Sequence, residues 1–489
     1  MKKTTLKLIA VLISALLSIG FISCDKDKNN EPDTPGKVDP DNPNNPNDTI
    51  NPPSPPPGSN PGQAKTPEEQ KQYLETVALD FMNKVPASDF KTLGELGKFL
   101  YDIYFDYYDW SNVEWWGKDV YNAAREALGT TTYDRETNGY YTYTYIYTNY
   151  KALLMASNFT GHFLASHGYW SYESANDLQF IFADKQGQQL ILKVETSGET
   201  AKVHAFDVND WYDSYTQHSG NSTIYNDYYN RTACTIGVPE KIVVTLLQGQ
   251  TRLIRTTVKI DLRSLNGQEF DLSKGNFTVS ATTELNNGYK FDVSQVAYTG
   301  NSKASLSWVM SKNSTKLITM GVAGDISGIP SVNVSEFTSP AFDFDDYNTD
   351  DANAKNVVVS LDVLGKVQMK GTVADIRRYV DYLIEADEND YAEGTFKSYI
   401  NQANALTDIN VYYDGKSTKH ASIRLEPFRE EGWYQTYWTA EPVLVFYSDG
   451  SSYSTFEAFF NQSEFKRTIN TFKTLANAYA NIIGQQIDW

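Results

Sequence analysis

The sequence predicts an α+β protein in which N-terminal helices pack on a large antiparallel β-meander, followed by a mixed strand and helix region that ends in a long helix. Three observations predict this class. Apolar residues recur every three or four positions up to residue 107, alternate with polar residues between 141 and 310, and mix both periods after 355. About 420 residues from Thr66 onward exceed one ordinary core, so we expect domains at 67–342 and 355–489.

The first folded segment is predicted to be helical. Thr66, Pro67 and Glu69 supply a capping hydroxyl, a proline at the first helical position and a reciprocal capping acid, which predicts a helix that runs to Lys84. A second helix is expected after Ser88, and a third from Lys118 to Leu128.

The next segment has the period of β-strands. Tyrosine alternates with Thr and Ile from Tyr141 to Tyr147, which predicts a strand with one tyrosine face. Alternating runs at 178–194, 242–262 and 277–293 contain turn residues such as Asn287-Gly288 and predict hairpins, and a further strand is expected at 304–310. The sequence therefore predicts a meander of about eight to ten strands.

The C-terminal region mixes both kinds of element. The predicted helices and strands follow in chain order: a strand at 357–363, a helix from Thr372 to Ile384 capped by Thr372 and Asp375, a helix at 395–406, strands at 409–413, 422–425 and 443–447, and a final helix from Ser463 to Ile483.

The N-terminus has the pattern of an export signal. Lys2, Lys3 and Lys7 precede an apolar run of fifteen residues, 8–22, which is shorter than a membrane-spanning helix requires. We therefore expect residues 1–23 to be removed as a signal peptide, so that the mature chain begins at Cys24.

Residues 24–66 are predicted to form a disordered tether. Of the 18 prolines in the chain, 11 lie between Pro32 and Pro61 among Asn, Asp and Gly. Such a segment cannot bury enough apolar surface to offset its ordering entropy.

Short motifs in this region resemble those of bacterial lipoproteins. Phe21-Ile22-Ser23-Cys24 resembles a lipobox, and Asp25-Lys26-Asp27-Lys28 resembles the export signal of Bacteroidota surface lipoproteins. Asp48-Thr49-Ile50 resembles the O-glycosylation motif of the same group, which makes Thr49 a candidate for modification. The resemblance covers the signal peptide, the cysteine and the tether. It implies palmitate-type acylation of Cys24, anchorage in the lipid bilayer of the outer membrane and display at the cell surface.

No catalytic residue, cofactor or metal site is predicted. The sequence has no Gly-x-Ser-x-Gly, His-Glu-x-x-His or Gly-x-x-x-x-Gly-Lys motif. The acidic stretch 343–351 is interpreted as a solvated interdomain loop, because Asp351 stands where an EF-hand beginning at Asp346 needs glycine. Cys234 is interpreted as a small buried residue, since no histidine lies near it in sequence.

Aromatic residues are the strongest compositional signal. The chain has 34 tyrosines and 9 tryptophans. Core packing is the preferred interpretation, with the helix that carries Tyr104, Tyr107 and Tyr108 lying on the tyrosine strand. The alternative is a surface that binds a glycan or a protein partner, because amphipathic rings suit both. Its candidate binding residues are Trp110, Trp115, Trp116, Tyr141 and Tyr143.

The favoured function is a non-catalytic binding or scaffolding role, with a glycan as the expected ligand. One alternative is a glycoside-hydrolase-like enzyme, although 61 acidic residues do not single out a carboxylate pair. Another is a carrier whose meander curls around an apolar ligand, in a cavity lined by Phe291, Leu306 and Trp308. A net charge of −19 argues against nucleic acid as a partner.

Overall fold

The structure is a computed structural model that describes residues 64–220, 222–268, 276–299, 303–328, 353–431, 436–452, 459 and 465–482. Cys24, Thr49 and the acidic stretch 343–351 lie outside these ranges. The described residues divide into two compact units: a meander unit within 90–357, and a terminal unit within 64–89 and 358–482. The first helix thus belongs with the C-terminal region, whereas the sequence grouped it with residues up to 342.

The α+β class is confirmed, with helices first, strands next and a helix at the C-terminal end. The first helix, α1 (Pro67–Lys84), begins as predicted: the Thr66 hydroxyl accepts a hydrogen bond from the backbone N–H of Glu69, and the Glu69 carboxylate accepts one from the N–H of Thr66. The second, α2 (Ser88–Leu100), continues into a π-helical turn, Tyr101–Phe105.

The predicted helix at 118–128 is wrong in its bounds. The third helix, α3, spans Ser111–Ala124, and strand β1 begins directly at Arg125. Residues 125–128 are good helix formers, but Arg125 pairs with Ala152 of the next strand and its guanidinium lies 4.1 Å from the centre of the Tyr150 ring. These tertiary contacts outweigh a weak local preference.

The cap of α1 allows a direct test of local stability. Replacing Thr66 by Ala should lower the free energy of unfolding by about 1 kcal/mol, because one N–H of the first turn loses its acceptor. Thr66→Ser keeps the acceptor and should behave like the natural chain. Urea unfolding of both variants measures the difference. Equal stability of Thr66→Ala and Thr66→Ser would show that the cap does not contribute.

The meander unit contains two sheets. Ten strands form the larger one, in the order β14-β13-β12-β11-β10-β9-β6-β5-β3-β4. Their bounds are β3 Gly161–Ser166, β4 Tyr169–Glu173, β5 Leu178–Ala183, β6 Gln189–Ser197, β9 Lys241–Gln248, β10 Thr251–Asp261, β11 Asn276–Leu285, β12 Tyr289–Thr299, β13 Lys303–Lys312 and β14 Thr315–Gly328. The predicted hairpins β5–β6, β9–β10 and β11–β12 are confirmed, and β13 follows.

The other sheet has four strands, in the order β1-β2-β8-β7. They are β1 Arg125–Asn138, β2 Tyr141–Met155, β7 Ala201–Ser219 and β8 Ser222–Val238. The predicted antiparallel meander is therefore corrected in two respects. These four strands form a separate sheet. The β2–β8 and β3–β5 pairs are parallel.

The core of the meander unit lies between the larger sheet and the helices. Tyr104 of the π-helical turn packs on Trp170 and Phe182, with ring centres 5.9 and 5.2 Å apart. Its hydroxyl donates a hydrogen bond to the carbonyl oxygen of Ala183 at 2.9 Å. The aromatic helix therefore packs on β4 and β5, and the expectation that it covers the tyrosine face of β2 is wrong. The expectation that Tyr107 packs with it is also wrong, since Tyr107 is 76% exposed.

The terminal unit has a sheet in the order β19-β18-β17-β16-β15. Its strands are β15 (Asn353–Val363, of which residues from Val358 belong to this unit), β16 Val367–Asp375, β17 Thr407–Tyr413, β18 Ala421–Glu431 and β19 Thr436–Phe446. Its further helices are α4 Ile376–Glu388, α5 Glu393–Ala405 and α6 Lys466–Ile482. The predicted strands, the helix at 395–406 and the described part of the final helix are confirmed.

The predicted start of α4 is corrected. Thr372 lies in β16, opposite Asp408, and only Asp375 caps the helix, by accepting a hydrogen bond from the N–H of Arg378 at 3.0 Å. The β-branched pair Thr372-Val373 extends the strand because both residues have partners in β17.

Helices cover one face of the terminal sheet. Leu74 and Val77 of α1 join Val411, Leu444 and Phe446 in one buried cluster. The helices α4 and α5 build a second cluster against β18 and β19. Since successive side chains alternate, the opposite face carries Asp408 and Asn410 of β17 and Ser422 and Arg424 of β18.

Candidate functional site

One face of the four-stranded sheet carries six tyrosines, which we call the tyrosine face: Tyr141, Tyr143, Tyr145, Tyr147, Tyr225 and Tyr229. The first four share a face because they alternate along β2. The parallel register places Tyr225 opposite Tyr143 and Tyr229 opposite Tyr147. Residues about 80 positions apart therefore form one continuous surface.

The rings of the tyrosine face pack on one another across the two strands. Tyr143 and Tyr225 are stacked, with ring centres 5.2 Å apart and an interplanar angle of 14°. Tyr147 and Tyr229 lie 5.5 Å apart at 30°. Because the stacked rings of Tyr143 and Tyr225 each cover one face of the other, this pair presents mainly ring edges and hydroxyls to solvent. Such pairs add about 0.5–1.5 kcal/mol beyond area burial.

The hydroxyls of the tyrosine face have no hydrogen-bond partner among the described residues. None of the six is among the described polar atoms that are fully buried without a partner. Tyr104 differs, since its hydroxyl both donates to and accepts from the backbone of Ala183. The tyrosine face thus offers six donor and acceptor groups to solvent or a ligand.

Carboxylates accompany the hydroxyls. Asp227 of β8 and Asp134 of β1 both lie opposite Tyr145, and Glu136 of β1 lies opposite Tyr143. Burial raises the pKa of Tyr229, and the charge of Asp227 raises it further, so this phenol stays protonated at neutral pH. The surface can therefore donate hydrogen bonds from phenols and accept them at carboxylates.

Two residues border the tyrosine face. The Arg231 guanidinium lies 4.6 Å from the centre of the Tyr147 ring. Trp211 of β7 pairs with Tyr229 in the register and is 59% exposed. Trp211 thus adds one accessible ring face to a surface otherwise dominated by ring edges.

The predicted binding residues separate into two groups. Tyr141, which is 49% exposed, and Tyr143 lie on the tyrosine face. Trp110 and Trp116 instead pack in the core, 5.2 Å from Trp170 and 5.0 Å from Phe163 between ring centres.

Trp115 remains accessible. It is 69% exposed on α3 and makes no ring contact with the aromatic residues that the structure describes.

Sequence reasoning missed Tyr225, Tyr229 and Trp211. Tyr225, Asp227 and Tyr229 do alternate with polar or aromatic neighbours, which is a strand signal. Their place beside β2 depends on a parallel pairing that no local pattern specifies.

Other chemistries have little support in the described residues. Burial raises the pKa of the Cys234 thiol to about 11, so it stays protonated and unreactive at neutral pH. The described residues contain no group of three or more His, Cys, Asp or Glu arranged to hold a metal ion. Among the same residues, no helix is long and apolar enough to cross a membrane.

Comparison with known protein families, curated proteins and solved structures gives no match for this chain.

Proposed function

We propose that this protein is a membrane-anchored lipoprotein of the cell surface, and that it binds a glycan without catalysis through the tyrosine face. The observation that carries the proposal is that the six phenol hydroxyls of the tyrosine face have no hydrogen-bond partner among the described residues and lie next to the carboxylates of Asp134, Glu136 and Asp227. A ligand rich in hydroxyls can pair with both kinds of group.

The dimensions and charge of the tyrosine face favour an extended, neutral glycan. Tyr141 and Tyr147 are six residues apart along β2, which corresponds to about 20 Å and to several sugar units. Asp134, Glu136 and Asp227 would repel sulfated or uronate polymers, as would the net charge of −19. Trp211 supplies a ring face for apolar stacking at one side.

The two alternative functions have weaker support. A hydrolase would need a carboxylate pair, and Glu426 lies opposite Glu441 in the β18–β19 register. Burial raises the pKa of Glu426, but both residues lie on an extended strand pair in the terminal unit, whereas the tyrosine face belongs to the meander unit. The hypothesis of an apolar-ligand carrier requires Leu306 to line a cavity, whereas Leu306 is 47% exposed.

A glycan array with the full-length protein tests the proposed binding. We expect retention of neutral, linear polysaccharides and no retention of their sulfated counterparts. Retention of none of the neutral glycans would refute the proposal. Release of shorter products from a retained glycan would instead support the hydrolase alternative.

The anchor has its own test. Replacing Cys24 by Ala should abolish incorporation of labelled palmitate and move the protein from the membrane fraction to the soluble fraction, because no sulfur remains to carry the acyl chains. Cys234→Ala is the matched control and should stay acylated. Acylation of the Cys24→Ala variant, or an unmodified Cys24 thiol in the natural chain, would contradict the anchor.

A further inference from the structure

The terminal unit contains a cavity where two strands separate. Strands β17 and β18 pair only from Ile409–Val411 to Ala421–Ile423. Beyond this point the Asn404 side chain replaces the strand partner: its amide nitrogen donates to the carbonyl oxygen of Leu425 at 2.7 Å, and its oxygen accepts from the N–H of Leu425 at 2.9 Å. The gap holds about 280 Å³ and is lined by residues that include Asn404, Thr407, Asp408, Ser422, Ile423 and Arg424.

One wall of the cavity has hydrogen-bond donors that lack an acceptor among the described residues. Arg424 is half-buried and has no ion pair or hydrogen bond with any residue in the described ranges. Ser422 is only 4% exposed, and its hydroxyl has no hydrogen-bond partner of good geometry there, although the Tyr447 phenol lies close by. A buried hydroxyl without a partner costs about 1–3 kcal/mol, and a half-buried guanidinium without a hydrogen bond loses part of its hydration.

The opposite wall carries a carboxylate that is held in place. Asn410 donates to Asp408 at 2.8 Å, and the Asn410 oxygen accepts from the Tyr447 hydroxyl at 2.7 Å. Lys419 lies 3.3 Å from the same carboxylate. Burial would raise the pKa of Asp408, but the Asn410 hydrogen bond and the charges of Lys419 and Arg424 hold it below its usual range.

The charges at the cavity favour a monoanion. Arg424 lines the cavity and Lys419 lies at the Asp408 carboxylate, so these three groups together have one positive charge in excess. Glu426, further along the face of Arg424, is not among the cavity-lining residues; burial raises its pKa, and the charge of Arg424 opposes this rise. A guanidinium matches a carboxylate in a two-point contact. The Asp408 carboxylate disfavours a dianion and has lone pairs left to accept a further hydrogen bond from the ligand.

We propose that this cavity binds a small hydroxy-carboxylate, with the ligand carboxylate at Arg424 and Ser422 and a ligand hydroxyl at Asp408. The ligand is either a free hydroxy acid or the terminal uronic acid of a glycan, since both carry the same groups. This site is separate from the tyrosine face and does not depend on the proposed function.

Calorimetric titration of the full-length protein with sodium glucuronate tests the site, with glucose as the neutral control. We expect glucuronate to bind and glucose not to compete for the cavity. Arg424→Gln should weaken glucuronate binding at least about tenfold, because a charged contact is lost. Arg429→Gln is the matched control, because Arg429 is an exposed arginine of the same strand. Its affinity should equal that of the natural chain.

An oligosaccharide that ends in glucuronate distinguishes the two ligand sources. Tighter binding than free glucuronate identifies a glycan end, and equal or weaker binding identifies a free acid. The proposal is overturned if neither compound binds at about 10 mM, or if Arg424→Gln folds and binds glucuronate as well as Arg429→Gln does. The variant Tyr143→Phe/Tyr145→Phe/Tyr147→Phe should keep this binding, which separates failure at the cavity from failure at the tyrosine face.

Discussion

Replacing Tyr143, Tyr145 and Tyr147 together by Phe is expected to weaken glycan binding about ten- to a thousandfold, if each lost hydrogen bond contributes about 0.5–1.5 kcal/mol. The substitution removes three hydroxyls that have no partner among the described residues and keeps the rings. The ring contacts of Tyr143 with Tyr225 and of Tyr147 with Tyr229 are therefore retained, so unfolding by urea should change little. Affinity for the best glycan on the array is the measurement.

The other face of the same sheet provides the control. Tyr133, Tyr212 and Tyr215 are 66%, 50% and 60% exposed and lie on β1 and β7. Their combined replacement by Phe removes as many hydroxyls from an accessible surface and should leave glycan affinity unchanged. An equal loss in both triple variants would show that binding does not depend on the tyrosine face.

Acidification from about pH 6.5 to pH 4 is expected to destabilise the terminal unit by up to about 3 kcal/mol through one histidine. His420 is 5% exposed, its Nδ1 accepts a hydrogen bond from the backbone N–H of Lys65 at 2.8 Å, and its ring lies 4.7 Å from that of Tyr413. Burial, with the charges of Lys65 and Lys416, lowers its pKa to about 4.

The folded and unfolded chains bind the His420 proton at different pH values. An unfolded histidine binds its proton near pH 6.5, whereas folded His420 binds one only near pH 4. Between these values the unfolded chain binds more protons, so the stability contributed by neutral His420 is complete above pH 6.5 and is lost as the pH falls to 4.

The variant His420→Gln isolates this effect, because an amide oxygen can accept the Lys65 hydrogen bond and does not titrate. Amide hydrogen exchange of peptides from β17 and β18, measured across this pH window and corrected for intrinsic exchange, should show a loss of protection in the natural chain that is absent in the variant. The same loss of protection with falling pH in the natural chain and in His420→Gln would contradict the role of His420.

Local sequence signals predicted the elements whose partners are close in sequence. The capping residues of α1 and the turn at Asn287-Gly288 set their structures within a few residues, and both are confirmed. The signal at Arg125–Leu128 failed because Ala152 and Tyr150 act on it from another strand. Thr372 failed as a cap for the same reason, since its partner Asp408 lies in β17.

The candidate site was only partly predictable for a similar physical reason. The alternation from Tyr141 to Tyr147 predicted a strand with a tyrosine face, but not that Tyr225 and Tyr229 would stack on it. The density of aromatic residues between 101 and 116 drew attention to Trp110 and Trp116, which the contacts of Trp170 and Phe163 place in the core. Composition does not distinguish a buried ring from an accessible one.

Nitration of the full-length protein by tetranitromethane, located by peptide mass spectrometry with and without saturating glycan, tests the tyrosine face most directly. We expect the glycan to protect Tyr141, Tyr143 and Tyr145 and to leave Tyr133 and Tyr215, on the other face, as reactive as before. Protection of Tyr133 and Tyr215 alone, or of no tyrosine while the glycan is bound, would contradict it.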